Sequence, residues 1–284
     1  MAVSAALIQM TSSDDPVANL KTTRALLREA ADRGAQIALT PEVTNCISLS
    51  RALQAQVLQP EAEDLTLAGL REEARALGIW VLIGSLALKA PRPGDGPAFL
   101  SRSYLIDPQG EMQARYDKIH MFDVQVSETE TYRESAAFQP GNAAVVAPTP
   151  FGVFGLSICY DLRFAYLYRA LAQAGAEILS IPAAFSPVTG IAHWEVLLRA
   201  RAIETGCFVL APAQCGRHPA REGRRRGTYG HSLAVAPWGE VLLDMDQAPG
   251  VGMITLDLDR VQEARAKVPA LTHDRSFTAP RTLR

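Results

Sequence analysis

The chain has 284 residues, 48% hydrophobic and 20% charged, with a formal net charge of −2, a balance that fits a globular protein with a large core and argues against nucleic acid or an anionic membrane as the main partner. Met1 to Met10 lack the features of a secretory leader, and no apolar run approaches the roughly 20 residues that span a bilayer. Four cysteines without close pairing suit neither a disulfide framework nor a zinc site, so a cytoplasmic protein with free thiols is expected, forming a single domain over residues 1–284.

In chain order, Val3 to Gln9 reads as a first strand. Pro16 opens a helix to about Arg33, with Val17, Leu20, Leu27 and Ala31 on one apolar face and Gly34 as C-cap. Ala35 to Thr40 is a short buried strand ending in Pro41-Glu42. The spacing predicts a helix from about Glu61 to Leu77, stopped by Gly78, then a strand from Ile79 to Ser85 and a loop at Gly94 to Pro97. Ser101 to Ile106 and Met112 to Tyr116 flank Asp107-Pro108-Gln109-Gly110, a hairpin signal. The polar segment Asp117 to Gly141 has little periodicity and is long for a connection, which is common where loops carry function.

Ala143 to Ala147 and Gly152 to Ile158 bracket a tight turn. A helix from Phe164 to Ala174 leads to a strand over Ala176 to Ile181, and a helix from His193 to Glu204 leads to one over Cys207 to Ala213. After a basic loop come three further antiparallel strands, Gly230 to Ala236, Glu240 to Met245 and Gly252 to Asp257, with Pro237-Trp238-Gly239 as the first turn. A short helix near Arg260 to Lys267 and an irregular tail close the chain. The second half thus echoes the first. Strands apolar on both faces need cover on both faces, and two mixed sheets packed face to face with helices outside provide it. An open doubly wound sheet fits the first half nearly as well. No Gly-x-Gly-x-x-Gly or Gly-x-x-x-x-Gly-Lys pattern points to a nucleotide, and no cofactor is expected.

Cys159 stands where a strand turns into a helix, the place where α/β proteins put reacting groups. A side chain on such a turn projects from the sheet edge, beside helix-start N–H groups that stabilise an anion. Free cysteine is also a common buried filler. What distinguishes Cys159 is that Glu42 and Lys118 likewise end predicted strands. If these strands share polarity at one edge, a thiol, a carboxylate and an ammonium converge. A free thiol with a pKa of about 8.5 is only a few per cent thiolate at neutral pH, so the carboxylate would take its proton. The lysine and the backbone N–H of Tyr160 would meet the charge that builds on the substrate oxygen, each such donor contributing about 2.7–4 kcal/mol at known sites.

Several stretches resemble one family. They are Pro41-Glu42, Tyr116-Asp117-Lys118-Ile119-His120-Met121-Phe122-Asp123, Glu134-Ser135 and Ile158-Cys159-Tyr160-Asp161-Leu162-Arg163-Phe164. Ala192-His193-Trp194-Glu195, Arg199 to Glu204, Gly230-His231-Ser232 and Pro237-Trp238-Gly239 continue the series. Each is moderately specific; the ordered set, covering nearly the whole chain, is similar to the nitrilase superfamily of carbon–nitrogen hydrolases.

That resemblance implies a four-layer αββα sandwich with Glu42 as general base, Lys118 as oxyanion stabiliser, Cys159 as nucleophile and Glu134 as the glutamate that orients the lysine. It also implies a homodimer, in which residues 266–284 could reach the partner subunit. Ala213 to His218 with Tyr229 to Ser232 look most like the branch acting on deaminated glutathione, which makes the expected partner a small anionic amide, cleaved through a thioester with release of ammonia. An omega-amidase acting on α-ketoglutaramate, an N-carbamoyl amino acid hydrolase and a catalytically silent binding protein are the alternatives. Arg163 is the nominated holder of the substrate carboxylate, with an ion pair to Asp161 as its competing role. The sequence departs from the branch at Ala165-Tyr166, where many relatives carry Pro-Glu, and at Val43 to Cys46, which bears on pocket shape. His193 and His231 read as structural, Cys46, Cys207 and Cys215 as unreactive thiols, and Arg221 to Arg226 as a solvated surface segment or a rim that attracts anions.

Overall fold

The computed structural model describes residues 2–91, 98–128, 130–221 and 225–279. The expected loop at 94–97, the middle of the arginine-rich segment and the last five residues lie outside these.

Two six-stranded sheets dominate. The first runs Gly250–Asp257, Ala2–Gln9, Ile37–Leu39, Trp80–Lys89, Phe99–Ile106, Met112–Asp117; the second runs Val241–Asp244, Leu233–Val235, Phe208–Ala211, Ile178–Ser180, Gly152–Leu156, Val145–Thr149. Alternation along the strands builds the layers, because successive side chains point to opposite faces. In the first strand Ala6 and Ile8 pack under Leu27, Ala30, Leu67 and Leu70 of the helices Pro16–Asp32 and Leu65–Leu77. Val3, Ala5 and Leu7 face the other way, in one cluster with Phe154, Leu156 and Leu179 of the second sheet. Leu167, Leu171, Trp194 and Leu198 of the helices Ala165–Gln173 and Pro187–Thr205 cover that sheet from outside. The chain therefore adopts the expected αββα order, and an open doubly wound sheet is excluded.

Local signals explain the element ends. Asp15 accepts from the Val17 and Ala18 N–H groups, and Pro16 sits at the start of the first helix, where its missing N–H costs nothing. The predicted helix over residues 61–77 is two pieces, a single turn Glu61–Glu63 and the helix Leu65–Leu77, because Asp64 caps the second by accepting from the Leu67 N–H at 2.8 Å. The helix Arg51–Val57 was not expected; Ser50 caps it. The helix predicted from His193 starts six residues earlier, at Pro187. The third of the late antiparallel strands, Gly250–Asp257, leaves the second sheet and pairs with Ala2–Gln9 in the first. No helix among the described residues is long and apolar enough to cross a membrane.

One close approach between the sheets matters for the site. A Cβ on Gly84 would lie 2.0 Å from the Thr40 carbonyl oxygen, 2.5 Å from Pro182 Cβ and 2.6 Å from the Pro41 carbonyl oxygen. Glycine at position 84, beside a register shift between Ile83 and Leu86, lets the Thr40-Pro41-Glu42 turn of one sheet meet Pro182 of the other.

Candidate active site

Three strand ends supply the charged and nucleophilic groups. Glu42 follows Ile37–Leu39, and Lys118 follows Met112–Asp117; the two strands run the same way in the first sheet, with two strands between them. Cys159 follows Gly152–Leu156 in the second sheet. The site is thus assembled across the sheet–sheet interface.

Each backbone is pinned. The Lys118 N–H donates to the Ser101 carbonyl at 3.0 Å, and its carbonyl accepts from Gly141 N–H at 2.8 Å. The Glu42 carbonyl accepts from Gln214 Nε2 at 3.0 Å. Cys159 has φ of 50°, unusual for a residue other than glycine, and its N–H donates to the Pro182 carbonyl at 2.9 Å. That places Cys159 at the start of a short helical turn, Cys159–Arg163, whose first N–H groups have no intrahelical acceptor.

Lys118 Nζ lies 2.8 Å from Glu42 Oε1 and 2.9 Å from both Glu134 oxygens, so an ammonium with three protons faces three carboxylate oxygens. Lys118 is 2% exposed and Glu42 4%. Glu42 Oε2 accepts from Ala184 N–H at 2.8 Å, and Glu134 Oε2 from Phe122 N–H at 2.6 Å, which fixes both carboxylates.

The charge states follow. Burial opposes ionisation of Glu42, but the Lys118 and Arg226 cations outweigh it and hold the carboxyl below its ordinary value. Burial alone would lower Lys118, yet Glu134 and Glu42 outweigh it and raise the ammonium. Burial pushes the Cys159 thiol well above its ordinary value, with the Glu42 charge acting in the same direction and Lys118 opposing. At rest the site holds a thiol facing an ionised carboxylate, a pair ready to exchange one proton.

These residues line a cavity of about 90 Å³ with Tyr160, Phe122, Tyr132 and Phe185 among its aromatic walls. Arg163 is not among the lining residues. Its guanidinium stands behind the wall, 5.5 Å from the Phe185 ring centre and 5.9 Å from that of Tyr160, facing His193 Nδ1 at 3.3 Å. Its alternative partner Asp161 is fully engaged elsewhere. Arg51, Arg133 and Arg226 line the cavity instead. Of these, Arg226 belongs to the segment expected to be either a solvated surface loop or an anion-attracting rim. It donates to the Ala184 carbonyl at 2.7 Å, and its Nε is buried without a hydrogen-bond partner among the described residues.

Asp161 is the residue whose weight was missed. It accepts from Ile158 N–H (2.9 Å), His120 N–H (3.0 Å) and Tyr116 O–H (2.6 Å), with His120 Nδ1 at 2.7 Å. One buried carboxylate thus ties the Cys159 turn to the segment around Lys118. His193 and His231 do not line the cavity; His231 Nδ1 lies 3.0 Å from Asp244. Cys46 does line it, but burial pushes its thiol up to about 12.

The carbon–nitrogen hydrolase family matches residues 4–266. The chain belongs to the carbon–nitrogen hydrolase family. A deaminated glutathione amidase of Yersinia enterocolitica is 40% identical over 272 residues, which are 95% of this chain and 92% of the relative. The crystal structure of the Caenorhabditis elegans NitFhit protein superposes with a TM-score of 0.87 at 35% identity, covering 96% of this chain and 65% of that one. Saccharomyces cerevisiae Nit3, a member of branch 10 of the nitrilase superfamily, superposes with a TM-score of 0.83 at 26% identity, covering 97% of each chain. For this carbon–nitrogen hydrolase, fold and family agree with what the ordered motifs imply.

Proposed function

We propose that the protein is a cofactor-independent amidase that cleaves deaminated glutathione, with Cys159 as nucleophile, Glu42 as general base, Lys118 with the Tyr160 N–H as the oxyanion site, and Glu134 as the residue that orients Lys118. The observation that carries this reading is the Lys118 ammonium held by Glu42 and Glu134 in the cavity that Cys159 opens into. Glu42 takes the Sγ proton as sulfur attacks the amide carbon. The neutralised Glu42 then holds Lys118 less strongly, at the moment when the new oxyanion needs that cation. Collapse breaks the C–N bond, and the Glu42 proton goes to the departing nitrogen. Water, deprotonated by Glu42, cleaves the thioester and restores the thiol.

The amide of deaminated glutathione joins a keto-dicarboxylate to a dipeptide. Its nitrogen therefore leaves as the dipeptide's amino group, and the ammonia expected from the sequence is released only from an unsubstituted amide such as α-ketoglutaramate. The carboxylate of the acyl half falls to Arg51, Arg133 and Arg226, which line the cavity, in place of Arg163. Turnover of deaminated glutathione, followed by release of the keto-dicarboxylate, is the test. Cys159→Ala is expected to lower kcat by about 10⁴-fold or more; full turnover by that variant would refute the assignment.

We further infer that two copies pair through the helix Pro187–Thr205, where Val188, Ile191, Val196 and Ile203 are exposed. At the start of the tail, the Ala270 and Leu271 carbonyls accept from Arg169 and Gln173 of the same chain, at 2.9 and 3.0 Å. Ile191→Asp should shift sedimentation from dimer to monomer, and a dimer unaffected by it would exclude this face.

A further inference from the structure

The cavity at Cys159 continues outward. Leu49, Tyr132 and Arg226 line both it and a second, open groove of about 610 Å³, which is far larger than the inner 90 Å³. Two more arginines, Arg217 and Arg225, line the groove, against a single acid among the described residues, Glu130. That acid is already occupied, because Glu130 Oε1 accepts from Tyr132 O–H at 2.5 Å and from Ser186 O–H at 3.0 Å. Arg217 and Arg225 have no ion pair among the described residues, and both are exposed. The backbone at Arg217 is held in place. Arg217 ends the strand Cys215–Arg217, which pairs with Gly227–Tyr229, and His218 N–H donates to the Arg226 carbonyl at 2.9 Å. At the junction of the two spaces stands Arg226, whose buried Nε has no partner among the described residues. A buried donor without an acceptor is costly and is relieved by an anionic ligand.

The chemistry decides which half of a substrate lies where. During turnover the acyl half is bonded to Cys159 in the inner cavity, so the departing amine occupies the way out. A basic groove on that route suits an amine that carries its own carboxylate one or two residues from the scissile nitrogen, a reach of at most about 7 Å. We propose that the groove lined by Arg217 and Arg225 is a subsite for the carboxylate of the leaving group, so that the enzyme recognises amides that are anionic at both ends. The proposal rests on the amidase reading and sets which amides the enzyme prefers.

Three substrates separate the two ideas: deaminated glutathione, its analogue with the glycine carboxylate converted to an amide, and α-ketoglutaramate, which has no leaving-group carboxylate. The wild-type enzyme is expected to favour the free acid over the amidated analogue by about 10-fold in kcat/KM, a preference that shrinks as salt is added. In the double variant Arg217→Ala, Arg225→Ala the two should be cleaved with equal efficiency. This ratio is internal to each preparation, so partial loss of folded enzyme does not disturb it, and the wild-type ratio and its salt dependence need no variant at all. Equal cleavage of acid and analogue by the wild type, or an undiminished preference in the double variant, overturns the subsite while leaving the amidase intact. Failure of the wild type to cleave any of the three overturns both.

Discussion

Asp161 lies two residues beyond Cys159, with both oxygens committed: Oδ2 to Ile158 N–H and Tyr116 O–H, Oδ1 to His120 N–H and Nδ1. The first of these belongs to the Cys159 turn and the others to the first sheet and the segment that follows it, so a short-range motif does a long-range job. Asp161→Asn keeps the shape but turns an amide NH₂ toward donors. It is expected to cost about 2–3 kcal/mol of stability and to lower kcat more than it changes KM, readable by thermal unfolding and steady-state kinetics. Unchanged melting and kcat would show that Asp161 does not position the site. The motif itself was legible in the sequence, but its aspartate was read only as a partner for Arg163. That pairing does not form, because four groups already compete for its two oxygens. Arg226 was illegible for the opposite reason: nothing local marks one arginine of a basic run as the one that folds inward.

At the scale of elements, the site depends on how near the two sheets come. Gly84 permits that approach because the Thr40 and Pro41 carbonyls and Pro182 fill the space a side chain would need. Gly84→Ala should separate the Glu42 turn from the Cys159 side, destabilise the protein by at least about 1–3 kcal/mol and reduce kcat together with melting temperature. A fully active, equally stable variant would show that the interface yields elsewhere. Helix ends were the most readable element signals: Pro16 and Gly78 were placed correctly because each acts through its immediate neighbours. Ser50 offered the same kind of signal for the helix Arg51–Val57, but seven residues are too few for an apolar periodicity to stand out. The long segment after Lys118 hides a hairpin of three-residue strands, Asp123–Gln125 and Thr131–Arg133, whose tertiary setting, not its pattern, makes it regular.

For the molecule as a whole, one buried histidine ties stability to pH. Burial holds His218 down to about 4 from an ordinary 6.5, with Arg226 assisting and the Ser12 carbonyl opposing. The folded chain keeps this ring neutral, while the unfolded chain protonates it below the ordinary value. Between these two values the unfolded state binds more protons, so stability falls as pH falls, and the loss levels off below the folded value. At about pH 5 the expected loss relative to neutral pH is on the order of 2 kcal/mol. Thermal unfolding at both pH values should show a smaller difference in His218→Asn, which keeps a donor toward Ser12; an equal difference in both proteins would assign the effect to other groups.

The sequence by itself determined which strand ends carry a carboxylate, an ammonium and a thiol, and that the strands need cover on both faces. Strand ends carrying Glu42, Lys118 and Cys159 and the alternation of apolar side chains are local properties, written in spacings of two to four residues. The family resemblance follows from the order of such local stretches. The tertiary structure alone decided that the last strand, Gly250–Asp257, crosses back to the first sheet, that Arg163 stands behind an aromatic wall, and that Arg226 reaches the cavity. Those outcomes depend on which surfaces meet after the sheets pack, and a contact between segments dozens or hundreds of residues apart leaves no periodic trace in either one.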